Sequence, residues 1–179
     1  MAITESLPKQ KSSGLPGLRK EIFWAPQSEV ASIPGLVAAP AGYGNAVALD
    51  GDITFKTGGY WRRLAFESQG SSVTSEGFGS NRKRKGAEVT ITTFIDDKND
   101  VVEGFIKERS GEDLVMLVTS KCGSKLEFYG ETCDMDSVVL SPDTASTNDS
   151  EGENTTLVWK TRTAYTHYYT GTVSETPAV

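Results

Sequence analysis

The side chains suited to chemistry are few and scattered. A single histidine, His167, stands in "AYTHYYT", a Thr- and Tyr-rich stretch with no cysteine or acidic residue close by in sequence. Base catalysis by histidine needs a partner that orients the ring, and a metal site needs Cys, His or carboxylates clustered at fixed spacing. His167 therefore reads as a strand histidine, hydrogen-bonded or exposed. The carboxylates of "DDKND" suit the positive end of a helix, and they lack the central Gly and terminal Glu of a calcium loop. "GGYWRR" and "GFGSNRKRKG" lack the phosphate-loop pattern of Gly, four residues, then Gly-Lys-Ser/Thr, and neither leads into a helix. No catalytic, cofactor-binding or metal-binding residue is assigned.

The two cysteines, Cys122 in "SKCGSK" and Cys133 after "LEFYGET", flank a strand candidate. At about 3.3 Å per residue the strand separates them by roughly 20 Å, beyond the ~7 Å between Cα atoms that a disulfide tolerates. Two free thiols are expected, in keeping with synthesis in a reducing cytoplasm.

Charge offers a different kind of site. Arg82, Lys83, Arg84 and Lys85 form an unbroken basic run, while the chain of 179 residues has 18 Lys plus Arg against 24 Asp plus Glu, a net charge of −6. Nucleic-acid binders draw affinity from a basic face, so the acidic balance argues against a nucleic-acid grip. The run reads as a solvated loop or a protein contact. An acidic stretch, "SPDTASTNDSEGEN", carries Asp143, Asp149, Glu151 and Glu153 with no base of its own. Opposite charges on two loops of one scaffold suit head-to-tail contact between copies, where charge selects partner and register.

The elements that must hold these loops are strands. "AEVTITTFID" and "TTLVWKTRTAYTHYYTG" alternate with period two and are filled with β-branched and aromatic residues. Shorter candidates are "DITFK", "YWRRLAFES", "SSVTSEGF", "DLVMLVTS", "KLEFYGE" and "MDSVVLS", separated by "LDGD", "KTGG", "SKCGS" and "LSPD" turns. One segment has helical period: Val101, Val102, Phe105 and Ile106 form a stripe, with Asp97 or Asn99 as cap and Gly111 as terminator. The expectation is a mainly β fold, a β-sandwich or half-barrel of about seven to nine strands with one short helix, about Asn99–Arg109, packed on it. Residues 1–20 read as a flexible arm, 21–171 as the single domain and 172–179 as a tail. No run of about 18 apolar residues suggests a membrane helix, and the first residues lack the apolar core of a secretory signal.

The segment "AEVTITTFIDDKNDVVEGFIKERSGEDLVMLVTSKCGSKLEFYGE", with the long last strand from Thr155 to Thr170, resembles the tail tube proteins of long-tailed bacteriophages, which are related to inner-tube subunits of contractile injection systems. The resemblance covers roughly Asp52 to Gly171. It implies a structural virion protein, made in the host cytoplasm, whose copies join into rings, usually of six. The rings stack into a conduit through which genome DNA passes without specific binding, capped by other tail or connector proteins. Two further classes stand beside it: another virion component, such as a capsid decoration, tail terminator or connector protein, and a carbohydrate-binding module using Trp61, Trp159 and Tyr168 as an aromatic platform.

Overall fold

The computed structural model describes residues 20–38, 46–79, 86–119, 126–149 and 152–179. Its elements, in chain order, are β1 (Lys20–Pro26), a single 3-10 turn (Gln27–Glu29), β2 (Val30–Ser32), β3 (Thr54–Phe55), β4 (Arg62–Phe78), β5 (Gly86–Ile95), α1 (Asp100–Arg109), β6 (Leu114–Thr119), β7 (Leu126–Tyr129), β8 (Val139–Leu140), β9 (Ala145–Asp149), β10 (Gly152–Thr163) and β11 (His167–Tyr169). Nine strands form one sheet in the order β11-β7-β6-β1-β4-β5-β10-β8, with β9 also on β10, while β2 and β3 make a separate pair. The mainly β sandwich or half-barrel expected from the sequence is what forms.

The sheet folds over because β4 belongs to both halves. Arg62 to Phe66 pair with β1, and Glu67 to Phe78 pair with β5. Between Glu67 and Ser72 the register shifts, and Gly70 takes φ +81°, a left-handed value that a side chain would strain. Ser71 stabilises the bend: its hydroxyl accepts from the Phe94 amide at 2.9 Å and donates to the Glu67 carbonyl. At the other side Leu114 of β6 and Val138, just before β8, exchange two backbone hydrogen bonds of 2.9 Å, so the two halves also touch there.

Between the halves lies the apolar core, built from the inward residues of alternating strands: Ile22 and Trp24 of β1, Leu64 of β4, Ile91 of β5, Leu157 and Trp159 of β10. Trp24 is its centre. The Phe105 ring meets Trp24 edge-on at 5.3 Å and Trp159 at 6.0 Å, and the guanidiniums of Arg62 and Arg109 lie over Trp24 at 5.4 and 5.1 Å. Arg62 is 2% exposed, and its guanidinium is paired: Glu29 accepts from both of its terminal nitrogens, at 2.8 and 2.9 Å. Its neighbour Arg63 points outward to Glu21 at 3.3 Å and Glu175 at 3.9 Å, so the two arginines serve opposite faces as strand alternation requires.

Three expectations need correction. In α1 the cap is Asn99, whose side chain accepts from the Val102 amide at 2.9 Å, and Gly111 ends the helix at φ +78°. Val102 and Phe105 are buried and Ile106 packs against the core, but Val101 is 44% exposed and lies off the stripe. The last long strand is two: β10 ends at Thr163, and β11 starts at His167 on the other half of the sheet, beside β7. The acidic stretch is largely strand, since β9 pairs with β10 from Ala145–Thr156 to Asp149–Gly152. Residues 172–179 run back along the molecule, with Ala178 bonded to Gly58 and Gly59 and the Trp61 amide donating to Ser174.

The docking of α1 gives a direct test. Phe105→Ala should destabilise the chain by about 3 to 5 kcal/mol through lost transfer energy and an unfilled cavity. Val101→Ala and Lys107→Ala should each cost under about 0.5 kcal/mol. Urea unfolding of the three variants reads the difference, and equal losses would contradict the docking.

Candidate assembly surface

Half of the sheet ends in two borders that have no strand partner among the described residues. Past the bend, β4 has β5 on one side and, among the described residues, nothing on the other: Ser72 to Phe78 are all exposed, with Val73 at 40% and Phe78 at 49%. Across the same half-sheet β9 pairs, among the described residues, only with β10, and Ala145, Thr147 and Asn148 are exposed. The strands run β4-β5-β10, each antiparallel to the next, and along the far edge of β10 lie β9, on Gly152 to Thr156, and then β8, on Trp159 and Lys160, both antiparallel to it. The two borders therefore run in opposite directions.

One face of this half-sheet is core, carrying Val89, Ile91, Thr93 and Ile95 of β5 and Leu157, Trp159 and Thr161 of β10. The other is wet and rich in hydroxyls. Its cross-strand rows are Ser72-Thr92-Val158, Thr74-Thr90-Lys160 and Glu76-Glu88-Arg162. Both cations on it are neutralised. Lys160 Nζ donates to Asp143 Oδ2 at 2.5 Å, and Arg162 Nε lies 3.5 Å from Glu88. The hydrogen bond from Lys160 holds the Asp143 carboxyl below its usual range, and the same bond raises Lys160. Beside them a groove of about 530 Å³ gathers Glu88, Asp113, Glu131 and Asp136 around Lys160 and Arg162.

The residues singled out from sequence fall as follows. Arg82, Lys83, Arg84 and Lys85 lie outside the described residues, in the connection from β4 to β5, whose last pair is Phe78–Gly86. Glu151 and Cys122 also lie outside them. Asp143 sits in the turn before β9 and has a base after all, Lys160 of β10, 17 residues on. Asp149 ends β9 opposite Gly152, and Glu153 is exposed and accepts from Asn148 Nδ2 at 2.9 Å. The β9–β10 hairpin and the β4–β5 connection are at opposite ends of the half-sheet, since Ala87 pairs with Thr163 and Ile95 with Thr155. Their separation is about 30 Å for the length of β5.

Trp61 and Trp159 are 1% and 0% exposed, so they form no platform for a sugar ring. Cys133 is exposed and free. Among the described residues no three His, Cys, Asp or Glu side chains are placed to hold a metal ion, and no helix is long and apolar enough to cross a membrane. The sequence reading missed the two free borders, and the one available signal was β4 itself: polar residues on both faces from Ser71 to Glu76, as an edge strand beyond the core would have. Comparisons with family models, with curated proteins and with solved structures return no match.

His167 is buried and, among the described residues, not hydrogen-bonded. It is 2% exposed, and neither ring nitrogen has a partner among the described residues. Tyr165 stacks obliquely at 5.4 Å, and Asp134, which accepts from the Tyr165 hydroxyl at 2.8 Å, is the acidic neighbour in space. Burial lowers the imidazole pKa and Asp134 opposes this only in part. The unfolded chain then takes up a proton that the folded chain resists, so stability is full above the unfolded value of about 6.5 and falls as pH drops through it. Urea unfolding between about pH 7.5 and about pH 5.5 should show this slope in the wild type and lose it in His167→Phe. An identical slope in both proteins would contradict the assignment.

Proposed function

We propose that this chain is a ring-forming structural subunit, and within that class a tail tube protein of a long-tailed bacteriophage. The observation that carries the reading is the half-sheet β4-β5-β10 with β8 and β9 along its far edge, whose β4 and β9 borders run in opposite directions and have no strand partner among the described residues. A neighbour's β9 laid against β4 continues the antiparallel alternation, and a head-to-tail contact of this kind closes into a ring when the rotation per subunit divides a full turn. The closed sheet leaves no free edge, which removes the aggregation hazard that exposed borders pose.

The wet face suits a conduit. Hydroxyls and neutralised cations present little free positive charge to a phosphate backbone, so DNA slides without counterion-driven binding. The opposite placement of the β4–β5 connection, with its four basic residues, and the acidic β9–β10 hairpin supports stacking, because each ring brings one end of its sheets toward the other end of the next. In this reading the partners are further copies of the chain and the tail or connector proteins at the tube ends, and the location is the virion.

Proline scanning of the β4 border tests the ring. Adjacent residues of a strand direct their N–H groups to opposite edges, so of Thr74→Pro and Ser75→Pro one spares the β4–β5 ladder. That variant should keep a melting temperature within about 5 °C of wild type while losing rings and tubes in sedimentation and negative-stain images. Normal assembly of a folded border variant would remove the reading, as would a wild type that forms spikes on capsids or stays monomeric.

A further inference from the structure

The direction of each backbone amide decides what the two borders offer a neighbour. In an antiparallel sheet alternate residues turn both N–H and C=O to the same side, so the facing pairs of one row are hydrogen-bonded and non-hydrogen-bonded by turns from strand to strand. Two contacts fix the phase. The Phe94 amide donates to the Ser71 hydroxyl at 2.9 Å, so the even-numbered residues of β5 face β4. The Val158 amide donates to Thr144 Oγ1 at 3.0 Å, and the Val158 carbonyl accepts from the Ser141 amide at 2.7 Å, so the even-numbered residues of β10 face away from β5. The registers then commit Thr74 and Glu76 to β5, and Ala145 and Thr147 to β10. Among the described residues, what the borders offer a neighbour is the N–H and C=O of Val73, Ser75 and Gly77 on β4 and of Ser146 and Asn148 on β9.

We infer that the contact between copies has one register: Ser75 and Val73 of one subunit form hydrogen-bonded pairs with Ser146 and Asn148 of the next, and Thr74 faces Thr147 between them. The inference deepens the ring reading and rests on it. Sliding the neighbour two residues toward the bend brings Asn148 level with Ser71, where the register of β4 breaks, and one bonded pair is lost. The opposite slide sets Ser146 on Gly77 and Asn148 on Ser75, keeping both pairs, and closure geometry decides against it. The row through Ala145 crosses Thr156 and Phe94, two residues beyond the Thr92–Ser72 pair, so on β4 it falls level with Gly70, which does lie beside Phe94. With Ser146 on Ser75, Ala145 faces Glu76, a shift of about six residues, or ~20 Å, across four strands spanning ~19 Å. The strands then tilt by about 45°, at the upper end of the range of closed barrels, whereas the opposite slide needs about 54°. The register also continues the wet row Thr74-Thr90-Lys160 into the next subunit, where Thr147 adds a facing hydroxyl pair that stabilises the two strands.

Cross-linking of assembled material tests the register, in the full chain with Cys122→Ser and Cys133→Ser. Facing residues of a non-hydrogen-bonded pair have Cα atoms about 4.5 Å apart, within reach of a disulfide. Thr74→Cys with Thr147→Cys should therefore oxidise between neighbours into covalent oligomers that stop at the ring size. Ser72→Cys with Thr147→Cys and Glu76→Cys with Thr147→Cys report the two slides, and both should close about tenfold more slowly, since diagonal positions lie about 7 to 8 Å apart. Closure of either of these pairs on intact rings as fast as the first would overturn the register and leave the ring reading standing. Two prolines read the same assignment without cysteine. Ser75→Pro and Ser146→Pro each remove only an outward N–H, so both should keep melting temperatures within about 5 °C of wild type and fail to assemble. Assembly of either at the wild-type rate would overturn the inference. A wild type that forms no rings, with no cysteine pair closing between molecules, would remove the ring reading and the register together.

Discussion

The architecture depends on the bend in β4. A strand of 17 residues cannot lie in two facing half-sheets unless it turns, and the turn is made by Gly70 at a positive φ with the Ser71 hydroxyl taking over ladder bonds. Phe94 closes over this point: a side-chain carbon on Gly70 would lie 3.5 Å from its ring, so the glycine is required more by its backbone angle than by crowding. On the near side of the bend β4 is a core strand, with Arg62 and Leu64 buried against β1. On the far side it has lost β1 and the core together, and among the described residues no strand pairs with its border.

A sharp bend would open the sandwich if the two halves were not clamped. The clamp is aromatic and central. Trp24 of one half and Trp159 of the other are bridged by Phe105 of α1, and the paired Arg62 and the helix-terminal Arg109 lie over Trp24. A short helix with no independent stability thus joins both halves, which is why its insertion between β5 and β6 matters to the whole. The rigid half-sheet it supports is what presents the two borders at fixed separation and direction.

Much of this was legible from residue pattern. Strict alternation in Glu88–Ile95 and Thr155–Thr163 marked β5 and β10, and the Asn99 cap with Val102 and Phe105 marked α1. Other features were not, for physical reasons. Val101 is apolar but one position off the stripe, and hydropathy alone does not say which side of a narrow stripe is covered. The alternation of Thr155–Thr170 continues through the Ala164–Thr166 break because the chain crosses to the other half of the sheet without changing phase, so Thr163 and His167 both stay inward. β9 looked like a loop since its Ala, Asn and Asp are poor strand formers, and the β10 ladder overrides that. The Lys160–Asp143 pair and the free borders are relations between strands, which a linear pattern does not contain.

The central claim is that β4 and β9 are two halves of one contact. A cryo-electron microscopy map of assembled material tests it most directly. The account predicts β9 of each subunit antiparallel to β4 of the next at the strand spacing of about 4.8 Å, in a closed continuous sheet whose wet face lines the lumen. Tubes in which both borders face solvent, or are covered by segments other than each other, would contradict it.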